Sequence, residues 1–313
     1  MSVFAVAIAV ALALWVTVAV VVGVAAPLLL QLPLPEGTPR LQPWPSKPRR
    51  EVRGFSPWGM PSFPGCVPPQ DERSPNSPRG PLLNKASPHL LLFGASGAIG
   101  AAISSAATEK GWQVTGAARN FSAGLSIDPL SPAFTPELLR ASTPYTAVCW
   151  AQGANINDTV YNLDLPRHME IYQANVAYIL VTLQALLAAE LLAPASRLCV
   201  MSSIWQNLAR QSKLSYCVSK SALQGLVMSA SADLARDGHL INAVLPGALE
   251  TPMTRRNLSP EQIDRLTSAT QFHRLPALSD VASLVLYLCS PENTGITGQF
   301  IAADLGFSHV RIV

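Results

Sequence analysis

The chain has 313 residues, with 22 Lys and Arg against 19 Asp and Glu and a formal net charge of +3. That length holds one large domain or two smaller ones, and so small a charge excess gives no reason to invoke nucleic acid as a partner. Composition divides the chain into three stretches: 1–30, 31–87 and 88–313.

Residues 1–30 carry no charged side chain. A bilayer is crossed by about 20 apolar residues, so this run is long enough to span. A cleaved signal peptide needs a basic leader and a shorter apolar core. No Lys or Arg precedes the run, so a retained single-pass transmembrane helix is expected, with an organelle presequence as the alternative. The basic cluster Lys47, Arg49, Arg50 and Arg53 follows it. The positive-inside rule then places the rest of the chain in the cytoplasm. Residues 31–87 hold fourteen prolines and no core-like periodicity, the composition of an extended or disordered tether. Cys66, Cys149, Cys199, Cys217 and Cys289 are odd in number and widely spaced, with no C-x-x-C. They read as free thiols in a reducing compartment, and no metal site is expected.

The folded domain is expected over 88–313. His89 to Phe93 is a short apolar run of the buried parallel-strand type, followed by Gly94-Ala95-Ser96-Gly97-Ala98-Ile99-Gly100 and a helical stretch over 101–110. Strand, glycine turn and helix form the context of a dinucleotide fingerprint. Gly94 allows the turn, Gly97 lets backbone approach a pyrophosphate, and Gly100 allows close packing. The helix N-terminus offers free N–H groups to phosphate. Ser96 and Ile99 are counted with these glycines as cofactor contacts. A second strand, 113–118, ends at Arg119 with no acid beside it. An acid there would take a ribose 2′-hydroxyl, whereas Arg accommodates a 2′-phosphate. NADP(H) is therefore expected ahead of NAD(H), the bland alternative being a solvated arginine. Strands at 125–128, ending in Asp128, and at 145–150, ending before Gly153, complete the first half. Alternation of strands and helices predicts an α/β fold, a single Rossmann-type doubly wound parallel sheet.

A long helical pattern over 166–192 carries Asn175, and a fifth strand over 197–201 runs into Ser202-Ser203. Tyr216 and Lys220 are four residues apart, so on a helix they share one face. A nearby ammonium favours a phenolate, which makes the pair a proton donor for carbonyl reduction, although such spacing also occurs in ordinary surface helices. A strand over 241–245 ends in Pro246-Gly247-Ala248-Leu249-Glu250-Thr251. Residues 296–301 lead into Asp304-Leu305-Gly306.

Taken in order, these motifs resemble the short-chain dehydrogenase/reductase family over about residues 88–308. The resemblance implies a tetrad. Tyr216 would be the acid or base, Lys220 would lower its pKa and hold the nicotinamide ribose, Ser203 would hold the substrate oxygen, and Asn175 would organise a water. These roles are taken ahead of a merely capping Ser203 and a merely core Asn175. It also implies that Asp128, Gly153 and the Pro246–Thr251 segment, through Gly247, Leu249 and Thr251, touch the cofactor. The segment 248–275 would be a mobile substrate loop in which Met253, Arg255, Arg256 and Phe272 could line the pocket. The family pairs as homodimers or homotetramers. Two departures stand out: the glycine spacing is Gly-x-x-Gly-x-x-Gly, and Ala151-Gln152 replaces the common Asn-Ala. The expected activity is interconversion of a small-molecule carbonyl and a secondary alcohol, with a 3-oxoacyl or sugar-derived substrate. A membrane-tethered nucleotide-binding scaffold, or an epimerase or dehydratase of the family, is the alternative.

Overall fold

The computed structural model describes residues 87–310 apart from 252, 253, 256 and 257. The expected anchor over 1–30, the tether up to residue 86, Cys66, Met253 and Arg256 lie outside the described residues.

Seven strands form one sheet: β1 His89–Phe93, β2 Gln113–Ala118, β3 Leu125–Ser126, β4 Tyr145–Trp150, β5 Leu192–Met201, β6 Leu240–Pro246 and β7 Phe300–Ala303. Their order is β3-β2-β1-β4-β5-β6-β7, and every ladder is parallel. Six α-helices cover it: α1 Ala98–Glu109, α2 Leu165–Tyr172, α3 Tyr178–Ala188, α4 Leu214–Leu234, α5 Pro260–Thr267 and α6 Leu278–Cys289.

The unbroken apolar run of β1 follows from this layering. Successive side chains of a strand face opposite ways, so a sheet covered on both faces has no polar positions to alternate with. Leu91 and Phe93 join Val148, Trp150, Leu198 and Val200 in a core with Ile179, Leu183, Leu223 and Val227 of α3 and α4. Leu90 and Leu92 join Cys149, Cys199 and Val244 in a second core with Ile103 of α1 and Val281 and Val285 of α6. Cys149, Cys199 and Cys289 are buried free thiols and Cys217 is a half-buried one, as their spacing suggests.

Three boundaries differ from the sequence reading. Strand β3 stops at Ser126, because only Leu125 and Ser126 pair with β2. Strand β5 begins at Leu192, ahead of the expected Arg197. Its pairing with β4 shifts register between Tyr145 and Ala147, and Ala195 at φ 55° takes up the extra chain. The helix expected over 166–192 ends at Ala188 and contains a π turn, Gln173–Ala177, between α2 and α3.

Two histidines are buried at the end of the sheet opposite the glycine turn. His89 sits between two hydroxyls, Nδ1 at 2.9 Å from Thr143 Oγ1 and Nε2 at 2.8 Å from Thr115 Oγ1. His239 Nδ1 accepts from the Ser196 N–H at 2.9 Å, which requires that nitrogen to be unprotonated. Burial lowers both pKa values below 6.5. A histidine held neutral in the folded state stabilises fully above its unfolded pKa, and that stability is lost as pH falls toward the folded value. The denaturation midpoint should therefore be flat from pH 7 to 8 and decline below about pH 6.5. Equal midpoints at pH 7.5 and pH 5.5 in a urea titration would refute this.

Candidate active site

In a parallel sheet all strands end on one side, and here every candidate residue follows a strand's C-terminal end or lies on a helix facing it. The order reverses between β1 and β4, the place where such sheets open a crevice for ligands.

On one side of that crevice is the turn after β1. Gly94 has φ 77°, and a Cβ there would lie 2.5 Å from Gln152 N. A Cβ on Gly100 would lie 2.2 Å from Gly94 O, whereas one on Gly97 would make only ordinary contact with Gly94 O at 3.4 Å. Gly94 and Gly100 are thus required by the turn itself, and Gly97 leaves the space through which a ligand can approach backbone. Helix α1 starts after Gly97 with no side-chain cap and no acid in its first turn, so its partial positive charge is not offset from within the chain. Ser96 is exposed and Ile99 half-buried beside it. At the end of β2, Arg119 is exposed. Asp128 is exposed too, its Oδ1 accepting from Leu130 N at 3.2 Å.

On the other side stands the tyrosine. Asn175 lies in the π turn, 1% exposed. Its Oδ1 accepts from Ala154 N at 2.7 Å, and its Nδ2 donates to Ala154 O at 3.0 Å and to Ser219 Oγ at 2.8 Å. A π turn adds one residue to a helical stretch and re-aims side chains, often at functional sites. Gly153 leaves room here, since a Cβ would come within 3.2 Å of Asn175 Oδ1 and 3.7 Å of Lys220 Nζ. Lys220 is buried, donates to Met201 O at 2.9 Å, and holds Nζ 5.7 Å from the centroid of the Tyr216 ring. Burial brings its pKa down to about 8.

Burial also raises the Tyr216 phenol above its usual value, with the Ser203 hydroxyl acting against that rise. The lowering expected from Lys220 is not seen in the free protein, where desolvation is the largest cause acting on the phenol and Nζ spends a hydrogen bond on Met201 O. Ser203 does cap a helix. Its Oγ accepts from Trp205 N at 3.3 Å at the head of a short 3-10 turn, Ile204–Gln206. This bond uses a lone pair and leaves the hydroxyl proton to be donated elsewhere. Capping and a catalytic role are therefore compatible, as burial and relay are for Asn175.

The segment after β6 completes the crevice. Gly247 packs on Asp304, where a Cβ would meet the Asp304 Cβ at 3.0 Å. Pro246 is the last residue of β6, and Leu249 is buried. Thr251 Oγ1 accepts from Thr254 N at 3.1 Å. Arg255 is engaged by Glu250 at 2.7 Å and 2.8 Å and lines an open cleft with Leu258, Ile263 and Thr267, whereas Phe272 is 61% exposed.

One assembly was not legible beforehand. Helix α4 has no side-chain cap of its own, and Asp158 from the loop after β4 supplies one. Its Oδ1 accepts from Ser215 N at 3.0 Å and its Oδ2 from Ser215 Oγ. His168 Nδ1 lies 2.8 Å from the same hydroxyl, and Lys213 Nζ donates to Asn155 Oδ1 at 2.8 Å. These bonds fix the helix start immediately before Tyr216. The signal was a lone acid five residues after Gly153, with nothing in the sequence to pair it with Ser215.

An uncapped helix end, a glycine with open space above it and a lysine buried beside a tyrosine are a donor set that fits a dinucleotide. Fold and site together define a nucleotide-dependent oxidoreductase of the Rossmann type. The family model described as "Enoyl-(Acyl carrier protein) reductase" matches residues 147–308, over half of the chain. The chain belongs to the short-chain dehydrogenase/reductase family. It is 25% identical over 237 residues to the uncharacterized oxidoreductase YmfI of Bacillus subtilis, covering 69% of this chain and 97% of that protein. It is 24% identical over 233 residues to the 3-oxoacyl-[acyl-carrier-protein] reductase FabG of Vibrio cholerae, covering 69% and 95%. In fold it resembles a gluconate 5-dehydrogenase from Burkholderia cenocepacia solved with NADP and tartrate, with a TM-score of 0.66, 18% identity, and 72% and 95% of the two chains covered.

Proposed function

We propose that the protein is an NADP(H)-dependent oxidoreductase that interconverts a carbonyl and a secondary alcohol, with residues 88–313 as its catalytic domain. The observation that carries this is the buried Lys220 beside a half-buried Tyr216, with Ser203 facing the phenol. A scaffold that only binds nucleotide has no use for a desolvated lysine there, because burying an ammonium costs stability.

A bound nicotinamide cofactor supplies the hydride in reduction and takes it up in oxidation. Gly94, Ser96, Gly97, Ile99 and Gly100 would hold its phosphates. Arg119 and Asp128 would hold the adenosine end. Gly153, Asn175, Tyr216 and Lys220 would meet the nicotinamide ribose, and Pro246, Gly247, Leu249 and Thr251 the nicotinamide. Ser203 donates a hydrogen bond to the substrate oxygen and fixes it. A phenol's ordinary pKa, about 10, already keeps Tyr216 protonated at neutral pH, the state an acid must be in before it acts. As negative charge grows on the oxygen, the phenol transfers its proton. Lys220 stabilises the phenolate that remains, and its pKa near 8 suits it to returning a proton to the tyrosine.

NADP(H) is favoured because Arg119 stands at the end of β2 with no acid beside it. Residues 1–30 are proposed as a retained membrane span that leaves the catalytic domain cytoplasmic. The apolar residues Leu180 and Leu187 of α3 and Val218 and Met228 of α4 are exposed, which supports pairing into a homodimer or homotetramer through these helices.

Tyr216→Phe should lower kcat for NADPH-dependent carbonyl reduction by about 100-fold or more, the typical worth of a general acid; undiminished turnover would overturn the mechanism. Arg119→Ala should cut the preference for NADPH over NADH by about 10- to 100-fold, the loss of one charge-assisted hydrogen bond. An unchanged ratio would remove the 2′-phosphate assignment. The full-length protein should stay with membranes through a carbonate wash and behave as a dimer or larger in detergent by light scattering. Release into the wash would exclude a spanning helix, and a monomer would exclude the helix pairing.

A further inference from the structure

The stretch of chain that joins Ser203 to Tyr216 carries two half-buried cations, Arg210 and Lys213. The Arg210 guanidinium lies over the Trp205 ring, 5.8 Å from its centroid, within the range of a cation–π attraction. Trp205 is fixed in turn. Its N–H donates to Ser203 Oγ at 3.3 Å, and its ring meets Phe307 edge to face with centroids 6.4 Å apart. The guanidinium is thereby tied to the residue proposed to hold the substrate oxygen.

Acids of this chain take up other arginines. Arg255 pairs with Glu250 at 2.7 Å and Arg274 with Asp280 at 2.9 Å, while Arg119 is assigned above to the cofactor. Among the described residues Arg210 has neither an ion pair nor a hydrogen bond. Lys213 Nζ donates to two neutral oxygens, Asn155 Oδ1 at 2.8 Å and Ile156 O at 3.4 Å. Burial lowers the Lys213 pKa, the charge of Arg210 lowers it further, and Asp158 opposes them. Asp158 has already spent both its oxygens on Ser215. The charge of Arg210 reaches the Tyr216 phenol too: burial raises that pKa, and Ser203 and Arg210 act against the rise. A charge taken partly out of water without a counter-ion is costly, and here two cations repel each other beside the proposed acid.

Resting on the oxidoreductase reading above, we infer that the substrate carries, besides its carbonyl, an oxyanionic group, a carboxylate or a phosphate, that pairs with Arg210. A guanidinium held against an aromatic ring keeps N–H groups at its edge, and that fork matches two oxygens of a carboxylate or phosphate. The carbonyl meets Ser203 and Tyr216 while the anionic arm meets Arg210, and Lys213 adds positive potential that draws the anion in. A neutral ketone leaves the guanidinium without a counter-ion, and a site built to pair a polar group discriminates against analogues that lack it.

The test uses the purified full-length protein in detergent with NADPH. Keto acids of increasing chain length are assayed beside their methyl esters, and phosphorylated ketoses beside the free sugars. The best charged substrate should exceed its neutral twin in kcat/KM by about tenfold or more, the worth of one charge-assisted hydrogen bond. Which series shows the excess tells carboxylate from phosphate. Added salt should shrink the excess, because ions screen the pair. Arg210→Gln should raise KM for the charged substrate and bring the pair to within about twofold of each other, while the NADPH dissociation constant, read by fluorescence, stays within about twofold. Arg236→Gln, at the opposite end of α4 from Tyr216 with its side chain 84% exposed, should leave the excess unchanged. If Arg210→Gln does not fold, the salt series on the unmodified protein decides. Neutral twins that match or exceed every charged substrate, an excess that survives Arg210→Gln or added salt, or a loss of NADPH affinity in that variant overturns the inference and leaves the oxidoreductase reading standing. Absence of turnover on every carbonyl with either nucleotide overturns both.

Discussion

One carboxamide holds the site together. Asn175 makes three hydrogen bonds, two to the backbone of Ala154 and one to Ser219 Oγ. They join the loop after β4, the π turn between α2 and α3, and helix α4. No main-chain hydrogen bond could link these segments in this way, because the π turn and α4 use their own amides internally. The side chain is 1% exposed, so each lost bond would leave a buried polar atom unpaired and cost roughly 1–3 kcal/mol. Tyr216 and Lys220 keep their places because the helix bearing them is held in its second turn by Asn175 and at its start by Asp158.

Holding these groups in place has a stability cost. Lys220 is buried with a single carbonyl, Met201 O, to receive its protons, and its depressed pKa measures how poorly that carbonyl replaces water. Tyr216 is displaced in the opposite direction by the same desolvation. Burial therefore brings the two pKa values in opposite directions around one opening. It disfavours the charged form of each in the free protein.

The fold was legible because its strands are covered on both faces. His89 to Phe93 and 145–150 announce themselves as apolar runs, and the glycine turn marks the reversal point. Strand β5 was read five residues short: Ala193-Pro194-Ala195-Ser196 has the composition of a loop, and only the register shift against β4 admits it to the sheet. The π turn is invisible in sequence, since Gln173–Ala177 continues the same helical pattern. The proposed tetrad could be named in the sequence only through the resemblance of its motifs to the family. The bond from Asp158 to Ser215 spans 57 residues, and no local pattern encodes it.

The parallel sheet also sets how the molecule responds to its ligand. Parallel neighbours cannot be joined by a tight turn, so every ladder except the short β2–β3 one closes a long loop before it gains a bond. The β1–β4 ladder bridges segments more than fifty residues apart, and the crevice lies at that ladder. Whatever fills the crevice therefore acts on the cooperative unit as a whole. By mass action, a cofactor present at about 100 times its dissociation constant adds about 2.7 kcal/mol to the stability of such a unit. For the proposed oxidoreductase, bound nucleotide would then bear on the stability of the fold as well as on the chemistry.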